Sequence, residues 1–265
     1  MKLRHQNKSF ASPAKLNLFF RVLSKRPDGY HNIVSLFQAI DLFDRLFFSP
    51  STKDIFTCTD PSIPTDDSNL INKALTLFKA HFPTPTLHIH LEKNIPVEAG
   101  LGGGSSNAAT TLWALNELTN RPATLPELIE MGSKLGSDVP FFFSQGTALC
   151  RGRGEILDPY SIPPLSGYIA KPSYGLSTPA VYQNVRIDES SQTESPYFND
   201  LEAPAFRLEP RLATLKAHLQ KQFQNVIMTG SGTALFCLNG KPKPIQGVTF
   251  YPFHSICRSL SWYCS

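Results

Sequence analysis

Three stretches of the chain hold residues whose types and spacing suit chemistry. Residues 96–109 read PVEAGLGGGSSNAA, with four glycines between Gly100 and Gly104 and two serines directly after them. Ordering glycine costs more backbone entropy than ordering any other residue, so something must need a close approach to this backbone. Where a loop of this kind joins a strand to a helix N-terminus, N–H groups converge and the helix dipole adds partial positive charge. The result is an anion site. Ser105, Ser106 and Asn107 are predicted to cap that helix and to add donors. Residues 136–141, GSDVPF, contain Asp138, a carboxylate able to accept the proton of an alcohol. Residues 13–18, PAKLNL, put Lys15 and Asn17 on one face of a strand and Leu16 and Leu18 on the other.

Each stretch also has a plainer explanation. The glycines could form a flexible loop before a well-capped helix, and Asp138 could cap a short turn before Pro140. Lys15 could be an ordinary solvent-facing strand lysine. The sequence does narrow which phosphate loop this can be. No lysine follows the glycines, which excludes the G-x-x-x-x-G-K-[ST] loop. Ser105 stands where the last glycine of G-x-G-x-x-G belongs, and the unit comes late, after several strands. The H-R-D and D-F-G signatures of protein kinases are absent.

The elements that must position these residues follow from periodicity. Residues 13–22 alternate as a strand, and RPDGYH (26–31) reads as a turn leading to a returning strand from Ile33. TLHIHLEK (86–93) alternates with Leu87, Ile89 and Leu91 inward; His88 and His90 share the other face and read as structural or solvated. After the glycines, Ala108, Leu112, Leu115 and Leu118 recur at helical spacing. A second helix opens at TLPE (124–127), which fits a capping box. The stretch TALCRGRGEIL (147–157) reads as a hairpin, and the Pro-rich DPYSIPPLSG (158–167) as a boundary. Beyond it the sequence predicts a strand near Tyr168, a short helix from Thr178, a longer helix near 210–223 and then VIMTGSGTALFCL. Strands and helices interleave without a βαβ rhythm, which predicts an α+β fold of two subdomains, residues 1–160 and 161–265.

Composition supports this. The 265 residues are 41% hydrophobic and 17% charged, enough to build a core and too apolar for disorder. A net charge of +4 suits an anionic small molecule, and the chain lacks the basic aromatic face an RNA-binding module needs. Cys58, Cys150, Cys237, Cys257 and Cys264 are odd in number and form no C-x-x-C pair, which favours a reducing compartment, the cytoplasm, over a disulfide framework or a zinc site. The basic start MKLRHQNKSFASPAK has no apolar core after it and does not read as a secretory signal. No stretch approaches the roughly 20 apolar residues of a membrane span.

PVEAGLGGGSSNAA resembles the second motif of the GHMP small-molecule kinases, whose glycine-serine loop wraps a nucleotide triphosphate. SPAKLNLFFRVLSKRPDGYHNIVSLFQAIDL, GSDVPFFF and MTGSG are similar to the remaining motifs of one branch of that family, in the same order. That branch phosphorylates a cytidine diphosphate-linked methylerythritol in non-mevalonate isoprenoid precursor biosynthesis. The resemblance implies the GHMP kinase fold with its active site between the subdomains, ATP and Mg2+ as cofactors, a small-molecule substrate, no nucleic acid or membrane partner, and a monomer or weak homodimer. It implies that Asp138 is the general base and Lys15 its charge partner. Pro96, Val97, Glu98, Ala99, Gly100, Leu101, Gly102, Gly103, Gly104, Ser105 and Ser106 would hold the nucleotide, with Asn69, Leu70 and Lys93 on the adenine side. Asn69 has a second explanation as a helix cap. Ser105 or Ser106 would reach Mg2+. On the acceptor side stand Asn17, Tyr30, His31, Thr178, Tyr182 and Gly230, the two tyrosines clamping the cytosine.

Two features depart from the family pattern. Glu98 is a carboxylate in the loop that should meet triphosphate, and LNGKPKPIQG (238–247) is short and Pro-interrupted where the family usually places a helix. Other GHMP kinases acting on a different alcohol, or a non-catalytic nucleotide-binding protein on the same scaffold, are the alternatives.

Overall fold

The computed structural model describes residues 8–189, 193, 195–258 and 263, so Cys264 and the first seven residues of the basic start lie outside the described residues. Its spine is a long antiparallel hairpin, β1 (Lys8–Lys25) and β2 (His31–Pro50), turned at residues 26–30. The strand is longer than alternation predicted. Register shifts at Pro13/Ala14, Asn17/Phe19 and Val22/Ser24 bend it, and Pro13, which has no N–H to donate, sits at the first of them.

The length of β2 lets it serve two partners on its second edge. Its first half pairs with β5 (Thr147–Gly152) and its second half with β4 (Leu87–Glu92). β3 (Ile55–Cys58) joins β4, and β6 (Ile156–Pro159) joins β5. The short β8 (Phe198–Asn199), contributed by the later part of the chain, runs parallel to β1. On this sheet pack α1 (Leu70–Lys79), α2 (Gly103–Leu118) and α3 (Leu125–Leu135), around a core that includes Phe48, Phe78, Leu112 and Phe141. The capping box at Thr124 and Glu127 forms as predicted.

The second sheet holds β7 (Ser166–Pro172), β9 (Phe223–Met228), β10 (Leu235–Gly240) and β11 (Val248–His254), in the order β11-β7-β10-β9. α4 (Thr178–Gln183), α5 (Glu202–Leu208) and α6 (Pro210–Leu219) belong to the same part of the chain. α6 ends before the predicted residue 223, because Phe223 is already paired with Gly240 in the sheet. No helix follows β10; the chain runs through residues 241–247 directly into β11.

A third apolar cluster joins Leu16, Leu18, Ile40 and Leu101 to Ile169, Ile227, Phe236 and Phe253. Each such side chain, fully buried, stabilises by about 1.5–3 kcal/mol. The two sheets are therefore held together by a core of their own.

Candidate active site

Lys15 leaves β1 next to Asn17, as alternation requires, but it faces the interior: its side chain is 3% exposed. A buried ammonium is costly unless its three N–H groups find acceptors. Here they meet Asn17 Oδ1, the Gly100 carbonyl oxygen at 3.0 Å and Asp138 Oδ2 at 3.5 Å. The Phe37 ring lies 4.9 Å away. Burial pushes the lysine pKa below its ordinary value, and Asp138 works against that shift. Asn17 is held in turn, donating to Ser35 Oγ at 2.9 Å. Asp138 keeps 32% of its side chain open to the cavity. It does not cap the 3-10 turn that follows, because Val139 holds that position.

The glycine loop answers its question in two ways. Gly100 and Gly232 interlock: a Cβ on Gly100 would stand 1.9 Å from the Thr229 carbonyl oxygen, and one on Gly232 would stand 1.9 Å from the Gly100 nitrogen. These two positions are glycine because two stretches of backbone touch. Gly104 differs, since the nearest heavy atom to a Cβ there is Leu70 Cδ1 at 3.8 Å. The predicted capping by Ser105–Asn107 is corrected. The N-cap is Gly102, with left-handed φ of 70° and no side-chain cap, and the three residues lie within the first turns of α2. Ser106 and Asn107 turn inward to Ser12, whose hydroxyl donates to Asn107 Oδ1 at 2.7 Å and lies 2.8 Å from Ser106 Oγ. Ser105 lines the cavity. The amides of Gly103, Gly104 and Ser105 have no intrahelical acceptor at this helix start, so an anion fits there without displacing any side chain.

The rest of the loop is braced from the second sheet. Thr233 N donates to the Glu98 carbonyl oxygen at 3.2 Å, and Ala234 N to that of Ala99 at 3.3 Å. Ala99 and Leu101 are buried, whereas Pro96 and Val97 form the rim. Glu98 (φ 50°) lays its carboxylate against Gly175, where a Cβ would meet Oε2 at 1.8 Å. Gly230 stands over Lys15 and Asn17.

Opposite the loop, His31 and Tyr182 bring their rings to 5.5 Å, while Tyr30 is 53% exposed with the Arg153 guanidinium 4.9 Å from its ring centre. Burial, with Lys25 second, lowers the His31 pKa. Burial raises that of Tyr182, with Asp138 adding to it. Thr178 Oγ1 pairs with Ser231 Oγ at 2.7 Å. Asn69 is the N-cap of α1, accepting from Ile71 N at 2.9 Å, as its plainer explanation has it. Lys93 is engaged by Asp44, 2.8 Å away, with its side chain 7% exposed. His88 and His90 each lie 2.8 Å from Thr57 Oγ1, and the described residues include no cluster of three or more His, Cys, Asp or Glu side chains placed to hold a metal.

All the predicted site residues except Asn17 and Ser106 line one cavity of about 860 Å³. Asp44 and Arg153 were missed by sequence reasoning. Asp44 had a signal: it shares the strand phase of the buried Leu46 and Phe48, so a carboxylate stands at a core position. Arg153 lies in a turn and carries no such pattern.

A glycine-walled pocket beside a Lys–Asp pair in a two-sheet α+β scaffold defines a small-molecule kinase of the GHMP type. Residues 69–146 match the family described as GHMP kinases N terminal domain. The fold is also that of a crystallised mevalonate kinase, at a TM-score of 0.66 and 13% identity over 94% of this chain and 99% of that one. The chain is 48% identical over 265 residues to the 4-diphosphocytidyl-2-C-methyl-D-erythritol kinase of Protochlamydia amoebophila (strain UWE25), covering 95% of this chain and 91% of that protein. It is 41% identical to the chloroplastic/chromoplastic kinase of that name from Solanum lycopersicum, over 89% of this chain and 65% of the relative. A crystal structure of 4-(cytidine 5'-diphospho)-2C-methyl-D-erythritol kinase superposes with a TM-score of 0.79 at 33% identity, covering 94% of this chain and 99% of that one. The chain belongs to the 4-diphosphocytidyl-2-C-methyl-D-erythritol kinase family. Among the described residues, no helix is long and apolar enough to cross a membrane.

Proposed function

We propose that the cavity takes ATP along the glycine loop and 4-diphosphocytidyl-2-C-methyl-D-erythritol against Tyr30, His31, Thr178 and Tyr182, and passes the γ-phosphoryl group to the acceptor's 2-hydroxyl. One observation carries this assignment of roles: a buried lysine, fully supplied with acceptors, faces a carboxylate open to the cavity. The hydroxyl oxygen bonds to the γ-phosphorus, the β–γ bridging bond breaks, ADP leaves, and the hydroxyl proton passes to Asp138. Lys15, 3.5 Å from that carboxylate, offsets charge on the moving group. Because the transition state is loose, the protein contributes mainly by positioning and field. When bound, Mg2+ would neutralise phosphate oxygens, and Ser105 is the residue to reach it, since Ser106 is engaged by Ser12. We keep residues 1–160 and 161–265 as the subdomains. The four described cysteines, all free thiols, support the cytoplasm as compartment.

The test is ADP release from Mg-ATP by the purified protein, with and without the acceptor. Release that requires the acceptor supports the reading. Release with a different alcohol moves the acceptor assignment, and nucleotide binding without turnover removes catalysis.

A further inference from the structure

The strongest polar cluster not used by the mechanism is centred on Asp44, which is fully buried on β2 behind the glycine loop. Its Oδ1 accepts the backbone amides of Asn94 and Ile95, each at 2.7 Å, just where the chain leaves β4 for the loop. Its Oδ2 accepts Asn107 Nδ2 at 3.0 Å, from the first turns of α2 where the loop ends. Lys93 Nζ adds an ion pair at 2.8 Å and also reaches the Ile95 carbonyl oxygen. Asn107 is tied back to Ser12 of β1, three residues before Lys15. One carboxylate thus grips both ends of the loop and connects them to the strand that carries the lysine.

We propose that Asp44 is a positioning residue for nucleotide binding, and that Lys93 and Asn107 act through it. The span between Ile95 and Asn107 contains every amide offered to the phosphates, so its end points set where those amides stand. A buried carboxylate suits this role, because charge-assisted bonds to backbone N–H groups are short and directional. Lys93 compensates the charge and is not available as a phosphate ligand. This inference rests on the assignment of the nucleotide to the glycine loop.

The test compares the wild type with Asn107→Ala and Asp44→Asn, reading calorimetric affinity for Mg·ADP and for 4-diphosphocytidyl-2-C-methyl-D-erythritol separately, with melting temperature and steady-state kinetics beside them. Asn107→Ala leaves the Asp44–Lys93 pair intact, so it remains informative if Asp44→Asn folds poorly. The expected result for Asn107→Ala is a loss of about tenfold or more in nucleotide affinity and a matching rise in KM for ATP. Acceptor affinity should stay within about twofold. Equal weakening of both ligands, or a lower melting temperature with neither ligand affected, would reduce the cluster to general scaffolding and overturn the proposal. If the wild type itself bound no nucleotide, the underlying site assignment would fail first, which the wild-type titration shows on its own.

Discussion

The two walls of the cavity are built differently. On the proposed nucleotide wall, the loop backbone is held by Lys15, Thr233, Ala234 and Asp44, and Gly100 and Gly232 leave no space between its two strands of chain. On the proposed acceptor wall, Tyr30 projects from a turn, Tyr182 rides on the six-residue α4, and one hydroxyl pair ties Thr178 to Ser231. The first wall is cross-tied by hydrogen bonds from distant parts of the chain, which lowers the ordering cost that opposes binding. The second has flat aromatic surfaces waiting for a partner. On the proposed assignment, the fixed wall meets the transferred charge without reorganisation, and the open wall receives the acceptor.

The largest effect should come where the walls meet. Asp138→Asn is expected to lower turnover by about 10²–10⁴-fold with both ligands still bound, read by single-turnover kinetics and calorimetry. Near-normal turnover would remove Asp138 from the mechanism. Lys15→Met should also abolish most turnover, and it carries a pH signature. Because the folded pKa of Lys15 lies below its ordinary 10.5, the unfolded chain binds more protons in that interval, so wild-type stability gains on the variant as pH rises. Wild-type activity should likewise fall on an alkaline limb below the normal lysine range, as the ammonium deprotonates. Denaturation midpoints that run parallel with pH in the two proteins would contradict the buried, perturbed lysine.

Two glycine substitutions sharpen the contrast within the fixed wall. Gly232→Ala forces a Cβ into backbone and should cost about 1–3 kcal/mol of stability, visible in the melting temperature. Gly104→Ala enters open space at a helix start and should stabilise by about 0.4–1 kcal/mol while weakening nucleotide binding. Unchanged nucleotide affinity in Gly104→Ala would place the phosphates elsewhere. The most selective effect belongs to the open wall. Tyr182→Ala should weaken acceptor binding by about 1–3 kcal/mol, with ATP affinity unmoved, in paired titrations. An effect confined to ATP would break the division of labour between the walls.

Much of this was legible in the sequence. Alternation placed Lys15 with Asn17 and turned Leu87, Ile89 and Leu91 inward, and helical spacing placed Ala108, Leu112, Leu115 and Leu118 in the core. These patterns are local, because strand and helix periods follow from backbone geometry alone. The motif order also gave the family, which the relatives bear out.

What the tertiary structure alone decided concerns partners far apart in the chain. Gly100 needs its bareness for Thr229 and Gly232, more than 120 residues later, while Gly104 is bare toward the cavity, and no pattern in GLGGG separates the two. Lys15 could be read as a surface lysine until the carbonyl of Gly100 and the carboxylate of Asp138 were seen around it. Asp44, Asn107 and Ser12 lie on three elements, and only their packing makes them one network. Sequence periodicity determines which face a residue takes; which distant backbone comes to meet that face depends on long-range contacts that burial and hydrogen bonding select together.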